Sequence, residues 1–240
     1  MIFDFNLVAD YYDEYYNSDF GRKVDFVEKR RVKKFIEQIP IKSALEIGCG
    51  TGHWTQFFID NGFRLTAIDV SENMINKARE KNLNGVEFAI KNIEEIDYPD
   101  NYFENVFAIT SLEFVDNRGK AFEQIYRILK PDGYLLIGCL NINSYLGKTK
   151  NSNKVFKNAN FFDEKQLREI LSKFGIPQIG GSALITENSD EIASQEYLLS
   201  ETKFKPSTEK NIVLDYERDV DNDYLLREGA FLVGFVQKKV

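Results

Sequence analysis

The sequence predicts an α/β protein built on a mostly parallel sheet, and two observations support this prediction. Apolar runs too short to be helices alternate with stretches in which apolar residues recur at helical spacing. Runs such as 105–111, "NVFAITS", show little polar–apolar alternation, as is typical of strands buried on both faces. This regular succession indicates a doubly wound sheet with helices on both faces.

The elements follow one another along the whole chain. The strands are predicted at 44–47, 64–70, 86–90, 105–111, 134–140, near 178–186 and at 229–237. The helices are predicted at 22–39, at 53–60, at 72–82, after Asp116 or Asn117, and after Asp163. Ser71 and Asp163 are suitable N-caps, and the sequence 130–133, "KPDG", predicts a turn.

Two segments lie outside this alternation, although 240 residues suit one domain. Residues 1–40 precede the first strand and predict a helical lid. Residues 187–229 form an acidic, tyrosine-bearing insertion, and long connections of this kind are usually functional. We therefore expect a single domain over 1–240, with the core at 41–186, the insertion roofing the site, and the last strand at 230–240.

Composition and charge narrow the class of protein. The net charge of −7 disfavours general binding to nucleic acid or to an anionic membrane. The longest apolar runs, such as 134–140, are too short to cross a bilayer, and the acidic N-terminus is unlike an export signal. Two cysteines and one histidine make a structural metal site an unfavoured expectation. We expect a cytoplasmic protein with no membrane partner and no metal.

The most informative stretch is 44–55, "ALEIGCGTGHWT", in which a strand runs into Gly48, Gly50 and Gly52. Ligands of open parallel sheets bind beyond the carboxyl ends of the strands. A dinucleotide fingerprint would need a third glycine where His53 stands, and no lysine–serine pair follows to make a P-loop. The loop therefore favours a ligand that presses on bare main chain without bringing a phosphate, and a dehydrogenase remains the alternative.

These residues resemble the first motif of the class I S-adenosylmethionine-dependent methyltransferases, in their type 11, small-molecule branch. Asp69, at the end of the second predicted strand, stands where that family has a carboxylate for the ribose hydroxyls. The segments 92–106 and 127–138 resemble later motifs of the family in the correct order. The resemblance implies a Rossmann-like sheet of seven strands, the last antiparallel near 230–236, and S-adenosylmethionine as the cofactor.

The resemblance also implies a set of cofactor contacts. The set comprises Glu46, Gly48, Cys49, Gly50, Gly52, Asp69, Val70, Met74, Asn92, Ile93 and Ser111. Val70 and Met74 are expected to flank the adenine. Asn92 stands where the family often has aspartate and is expected to accept from the adenine amino group. Glu46 is expected to face the ammonium group of the cofactor or to orient the loop.

Further candidates concern the methyl acceptor. Glu113 follows the fourth strand and is the catalytic candidate, as a proton acceptor, a site for a cationic substrate, or only a carboxylate at a loop edge. Tyr12 and Tyr16, in "YYDEYY", predict a lid or an aromatic cage, or only a docked helix. His53 is expected to begin a helix. The charged run 28–34 is read as a solvated helix face, and the lysine-bearing segment 141–162 as a solvated loop or a lid over an anionic substrate.

These expectations converge on methyl transfer from S-adenosylmethionine to a nitrogen, oxygen or carbon nucleophile of a small molecule, by in-line displacement. Two alternatives stay open. One is an RNA or protein methyltransferase, which a positive strip along 141–160 would favour. The other is a non-catalytic protein that binds S-adenosylmethionine as a regulatory or partner subunit.

Overall fold

A seven-stranded sheet runs through the part of the chain that the computed structural model describes, which is residues 3–185 and 222–239. The strands are β1 Ser43–Ile47, β2 Arg64–Asp69, β3 Val86–Ile90, β4 Phe103–Ile109, β5 Leu129–Leu140, β6 Gln178–Ser182 and β7 Phe231–Gln237. The helices are α1 Glu14–Asn17, α2 Asp19–Ile36, α3 His53–Asp60, α4 Glu72–Glu80, α5 Arg118–Ile128, α6 Tyr145–Thr149, α7 Glu164–Ser172 and α8 Asn222–Glu228. Short 3-10 turns lie at 5–7, 93–95, 112–114 and 150–152.

The order of the strands is β3-β2-β1-β4-β5-β7-β6, and β7 is antiparallel to both of its neighbours. The other neighbouring pairs are parallel. This arrangement confirms the predicted α/β class, the mostly parallel sheet and the reversed last strand. The chain winds outward in one direction from β1 and in the other from β4, so the switch point of the sheet lies between these two strands.

Local signals in the sequence explain where the helices begin. The Ser71 hydroxyl accepts from the Met74 N–H and starts α4, as predicted. Asp163 and Gln166 form a reciprocal capping box at the start of α7. Asn117, the second of the two predicted candidates, caps α5. Helix α2 begins at Asp19, earlier than predicted, because the Ser18 hydroxyl accepts from the backbone N–H of Gly21.

Two apolar layers enclose the sheet. On one face, residues of α2 and α3 pack on the strands, with Val24, Phe58 and Phe107 at the centre of the cluster. On the other face, α5 and α7 pack through Ile125 and Leu167. Both layers include residues near the ends of the strands, such as Ile109 and Leu140 in the first layer and Ile47 and Ile68 in the second. Within the described residues no helix combines the length and the apolar character that a bilayer crossing needs.

Two segments differ from their predicted state, and a third lies largely outside the described residues. The "KPDG" turn lies inside β5, where the pairing with β4 shifts register and Asp132 adopts a left-handed φ of 62°. The segment 141–162 is not simply a solvated loop, because it contains α6 and buries Leu146 and Phe161 in the core. The predicted insertion 187–229 lies outside the described residues up to position 221, and the part from 222 onward forms α8.

Candidate active site

A cavity of about 410 Å³ opens at the carboxyl ends of β1, β2, β4 and β5. Its volume is within the range of small-molecule sites, and it lies at the switch point between β1 and β4. Main chain and side chains that follow β1, β2 and β3 line one part of the wall. Aromatic residues from the N-terminal segment, from α3 and from the loops after β4 and β5 line the rest. We call the first part of the wall, after β1, β2 and β3, the cofactor part, because the sequence resemblance implies a cofactor there. The second we call the aromatic part.

The glycine loop forms the floor of the cofactor part. Gly48, Gly50 and Gly52 have φ angles of 69°, 53° and 83°, which residues with side chains rarely adopt. A Cβ on Gly48 would lie 2.3 Å from the Cβ of Ser111, whose hydroxyl donates to the Ile47 carbonyl at 2.8 Å. A Cβ on Gly50 would meet nothing within 4 Å, and Gly50 lines the cavity. Gly48 is thus required for packing, whereas Gly50 leaves room for a ligand.

Asp69 lies beside this loop at the end of β2. Its carboxylate accepts from the N–H of Gly50 and from the N–H of Ser71, each at 2.8 Å. Burial raises the pKa of Asp69, and the hydrogen bonds from Ser71 and Gly50 oppose that rise. The side chain lines the cavity with its orientation fixed and with lone pairs still free, which suits an acceptor of two sugar hydroxyls.

An apolar shelf continues from Asp69. Val70 is 65% exposed and Met74 is buried, and both line the cavity together with the buried Ile93. Asn92 also lines it, but its side-chain oxygen already accepts from the N–H of Glu94 at 2.9 Å and caps a 3-10 turn. A flat ring fits this shelf, with one lone pair of the Asn92 oxygen left for a donor on the ring.

Three residues expected to contact the cofactor lie behind the wall. The Glu46 carboxylate is buried and accepts from the Thr55 hydroxyl at 2.7 Å, and burial raises its pKa to about 8. The Cys49 side chain packs against Ala67 and Ile75. Gly52 is the N-cap of α3. None of the three lines the cavity, so of the expected roles the geometry favours orientation of the loop for Glu46.

Glu113, the catalytic candidate, also lies behind the wall. It is fully buried, and its Oε1 accepts from the backbone N–H of Leu140 at 2.6 Å. Within the described residues its Oε2 has no hydrogen-bond partner. Burial raises the pKa of Glu113 to about 7. The carboxylate joins the loop after β4 to the end of β5, and the structure does not bring it to the cavity surface.

The N-terminal segment closes the aromatic part of the cavity. Tyr12 and Tyr16 both line it, with ring centroids 6.0 Å apart in an edge-to-face arrangement. Tyr16 stacks on His53 at 3.5 Å, and the His53 Nε2 lies 2.7 Å from a carboxylate oxygen of Asp25. His53 begins α3, as expected, and it connects α3 to the N-terminal segment and to α2.

Further polar contacts fasten this segment over the cofactor part. Asp13 accepts from the Thr51 hydroxyl at 2.5 Å and pairs with Lys81 at 2.6 Å. The side-chain oxygen of Asn6 accepts from the Ser71 hydroxyl at 2.7 Å. The segment is thus joined to the glycine loop and to both ends of α4.

The structure adds lining residues that sequence reasoning missed. These are Phe5, Tyr15, Glu28, Trp54, Lys91, Glu94, Thr110, Phe114, Val115, Asp116, Leu140, Val155 and Phe156, together with Ile47. Glu28 is only 9% exposed, so reading 28–34 as a solvated face was wrong at this position. A signal was present, because Glu28 is four residues from both Val24 and Val32, on the buried stripe of α2.

The residues present fit S-adenosylmethionine. The open floor at Gly50 admits an aliphatic amino-acid chain, Asp69 can accept from a diol, and the shelf at Val70 and Met74 can hold a ring. In the described part of the chain, no group of three or more histidine, cysteine, aspartate or glutamate residues is arranged to hold a metal ion.

Comparison with known proteins agrees with this geometry. Residues 45–137 match the family model described as a methyltransferase domain. An uncharacterised protein of Methanocaldococcus jannaschii is 29% identical over 197 residues, covering 80% of this chain and 90% of that protein. The ubiquinone/menaquinone biosynthesis C-methyltransferase of Hydrogenovibrio crunogenus is 35% identical over 106 residues, covering 41% of this chain and 42% of that enzyme.

Among solved structures, a SAM-dependent methyltransferase of Thermotoga maritima superposes with a TM-score of 0.70 at 24% identity, covering 98% of both chains. The chain thus shares its whole fold with that structure, whereas it spans less than half the length of the named C-methyltransferase. The glycine loop and Asp69 lie within residues 45–137, the range that the family model matches. Residues 45–137 thus match a methyltransferase domain, and the chain as a whole has the fold of a solved S-adenosylmethionine-dependent methyltransferase.

Proposed function

We propose that this protein transfers the methyl group of S-adenosylmethionine to a small-molecule acceptor held in the aromatic part of the cavity. The observation that carries the proposal is the continuity of the cavity. One enclosed space reaches from Gly50 and Asp69 to Tyr16, Trp54 and Phe156. A donor and an acceptor bound at its two parts would meet above the ends of β1 and β4.

The cofactor supplies an activated methyl group, so the chain's own residues need only bind and align. Gly48, Gly50, Asp69, Val70, Met74, Asn92, Ile93 and Ser111 line the cofactor part and are proposed to hold it. Alignment of two reactants in one site accounts for several kcal/mol of barrier lowering. Glu113 and Glu46 are proposed to position the loops from behind, because neither side chain reaches the cavity.

We assign residues 1–40 the role of a lid over the core domain. Asp13, Asn6 and Tyr16 fasten this segment to the cofactor loop, to α4 and to α3. A closed lid excludes water from the reacting groups. Such a lid must open for exchange of ligands, and its polar fastenings are contacts that can be broken at modest cost.

The segment 141–162 gives no support to an RNA or protein substrate. It contributes Val155 and Phe156 to the cavity, and none of its lysines. Lys150 donates to the carbonyls of Lys157 and Ala159, and Lys148 pairs with Glu228 at 3.4 Å. The apolar contribution of this segment to the cavity supports a small acceptor over the macromolecular alternative.

Isothermal titration with S-adenosylmethionine and S-adenosylhomocysteine tests the proposal directly. We expect both to bind, and Asp69→Ala to weaken both. Incubation with methyl-labelled cofactor and a small-molecule extract should then place label in a low-mass product. Binding without any labelled product would instead favour a regulatory cofactor-binding protein, and no binding of either compound would refute both readings.

A further inference from the structure

Four carboxylates line the cavity, and one of them has no hydrogen-bond partner that the structure describes. Asp69 accepts from two backbone N–H groups, and Glu94 accepts from the N–H of Asp116 at 2.8 Å. Asp116 itself is exposed to solvent. Glu28, on α2, is 9% exposed and lines the cavity, and within the described residues its carboxylate receives no hydrogen bond. A buried carboxylate in this state is costly unless a ligand supplies the missing partner.

The surroundings of Glu28 are negative and aromatic. Asp25 and Glu113 add charge of the same sign, and burial with these neighbours raises the pKa of Glu28 well above its usual range. The nearby cation, Lys29, is already engaged, because its Nζ lies 2.8 Å from both Asp25 and His53. Tyr12 and Tyr16 line the same cavity, and burial raises the pKa of both hydroxyls, that of Tyr12 to about 12.

Glu28 lies on α2, a different element from those that carry the residues proposed to hold the cofactor. Glu28 interacts with Glu113, which follows β4, whereas the residues proposed to hold the cofactor follow β1, β2 and β3 apart from Ser111. Trp54, Phe114 and Phe156 line the same cavity as Glu28. Aromatic faces attract cations, and a carboxylate among them can neutralise one.

We propose that the methyl acceptor is a primary or secondary amine whose ammonium group is bound by the Glu28 carboxylate between aromatic side chains. This inference rests on the proposed methyl transfer and adds the substrate class. An alcohol would leave the buried carboxylate without a counter-charge, and a carboxylic acid would be repelled by it. An ammonium satisfies both the charge and the missing hydrogen bonds.

The proton balance of the reaction follows from this arrangement. The ammonium transfers one proton to the Glu28 carboxylate, which leaves a neutral amine and a carboxylic acid. The nitrogen lone pair then forms the new bond to the methyl carbon while the carbon–sulfur electron pair leaves with sulfur. The product is a methylated ammonium and S-adenosylhomocysteine, and Glu28 gives its proton to water when the lid opens. Burial raises the pKa of Glu28, which favours transfer of the proton from the ammonium to this carboxylate.

The test compares the wild-type protein with Glu28→Gln, saturated with S-adenosylhomocysteine. Isothermal titration with butylamine and 2-phenylethylamine, and with 1-butanol and 2-phenylethanol as neutral counterparts, measures the preference for charge. We expect the amines to bind more tightly than the alcohols, and Glu28→Gln to weaken amine binding by at least about thirtyfold without weakening the alcohols. Glu37→Gln, an exposed position at the end of the same helix, is the matched control and should change nothing.

Cofactor titrations keep this inference separate from the proposed function. S-adenosylmethionine carries the sulfonium and S-adenosylhomocysteine does not, so their affinities for Glu28→Gln report on any contact with the cofactor. Unchanged affinity for both confirms that the variant folds and supports an acceptor role. A loss for S-adenosylmethionine alone would assign Glu28 to the sulfonium, and a loss for both would assign it to the amino-acid end. Either result, or no amine binding at millimolar concentration, would overturn the amine inference while leaving methyl transfer intact.

Discussion

Replacement of Gly50 by alanine should weaken cofactor binding while leaving the protein folded. Gly50 has a φ of 53°, and an added Cβ would meet nothing within 4 Å. The cost to the protein alone is therefore the left-handed conformation of an alanine, about 1–2 kcal/mol. In a chain of this length that cost lowers Tm by about 2–8 °C. The new methyl group enters space on the cavity floor, and we expect affinity for S-adenosylmethionine to fall at least about tenfold, or 1.4 kcal/mol.

Two other glycines with positive φ provide the controls. Gly62, in the turn after α3, has a φ of 87° and also has nothing within 4 Å of an added Cβ, but it does not line the cavity. Gly62→Ala should show the same small loss of stability with unchanged cofactor affinity. Gly48→Ala would place its Cβ 2.3 Å from Ser111, so the cost of overpacking, about 1–3 kcal/mol, adds to the strain. Its total loss should reach about 2–5 kcal/mol.

Urea unfolding and isothermal titration on the three variants and the wild type measure both quantities. The reasoning requires Gly50→Ala and Gly62→Ala to have similar stabilities and different affinities. Equal affinities in these two variants would refute the placement of the cofactor on this loop. A Gly48→Ala variant as stable as Gly62→Ala would refute the packing role assigned to Gly48.

Three further outcomes follow from the same geometry. Asp69→Asn should weaken the binding of S-adenosylmethionine and of S-adenosylhomocysteine equally, by about 10- to 150-fold, because an amide nitrogen cannot accept a hydrogen bond. Unequal losses of affinity in isothermal titration would contradict the role of Asp69 as acceptor from the diol. Glu46, with a pKa raised from 4.5 to about 8, binds its proton more tightly in the folded state than in the unfolded state, so unfolding free energy should fall as pH rises through that window. Glu46→Gln should flatten this slope in urea titrations between pH 5 and pH 8, and an unchanged slope would assign it to other groups. Asp13→Asn should speed cofactor dissociation several-fold in stopped-flow measurements, because it weakens the hydrogen bond with Thr51. Asp19→Asn, at an exposed position, should leave the dissociation rate unchanged. Equal dissociation rates in the two variants would count against the proposed lid.

The fold was predictable because its signals are local. Ser71 and Asp163 cap the helices predicted to follow them, and the apolar run 105–111 marks a strand buried on both faces. Boundaries were less certain where a side chain outside the periodic pattern decides them, as Ser18 does for α2. The "KPDG" sequence has turn chemistry, yet the pairing of the flanking residues carries it into β5 with a shift of register.

The placement of the glycine loop beside Asp69 was predictable for the same reason. A glycine loop after one strand and an acid after the next are brought together by any parallel pairing of β1 and β2. The side-chain direction of Glu113 could not be predicted in this way. Its sequence position places it near the cavity, but tertiary packing turns its carboxylate toward the N–H of Leu140. Strand order fixes where a loop lies, but it does not fix the direction of a side chain in that loop.

The aromatic part, unlike the cofactor part, depends on contacts between segments that are distant in the sequence. Tyr16 reaches His53, and His53 reaches Asp25, although these residues belong to three separate elements. The cofactor part thus rests on the sheet, whereas the aromatic part takes Tyr12, Tyr15 and Tyr16 of its wall from the N-terminal segment. If this segment acts as the proposed lid, its docking would also enclose Glu28, which is 9% exposed, and would raise the cost of leaving that carboxylate unpaired. An ammonium ligand would relieve this cost and stabilise the closed lid, which couples recognition of an amine to exclusion of water from the methyl-transfer site.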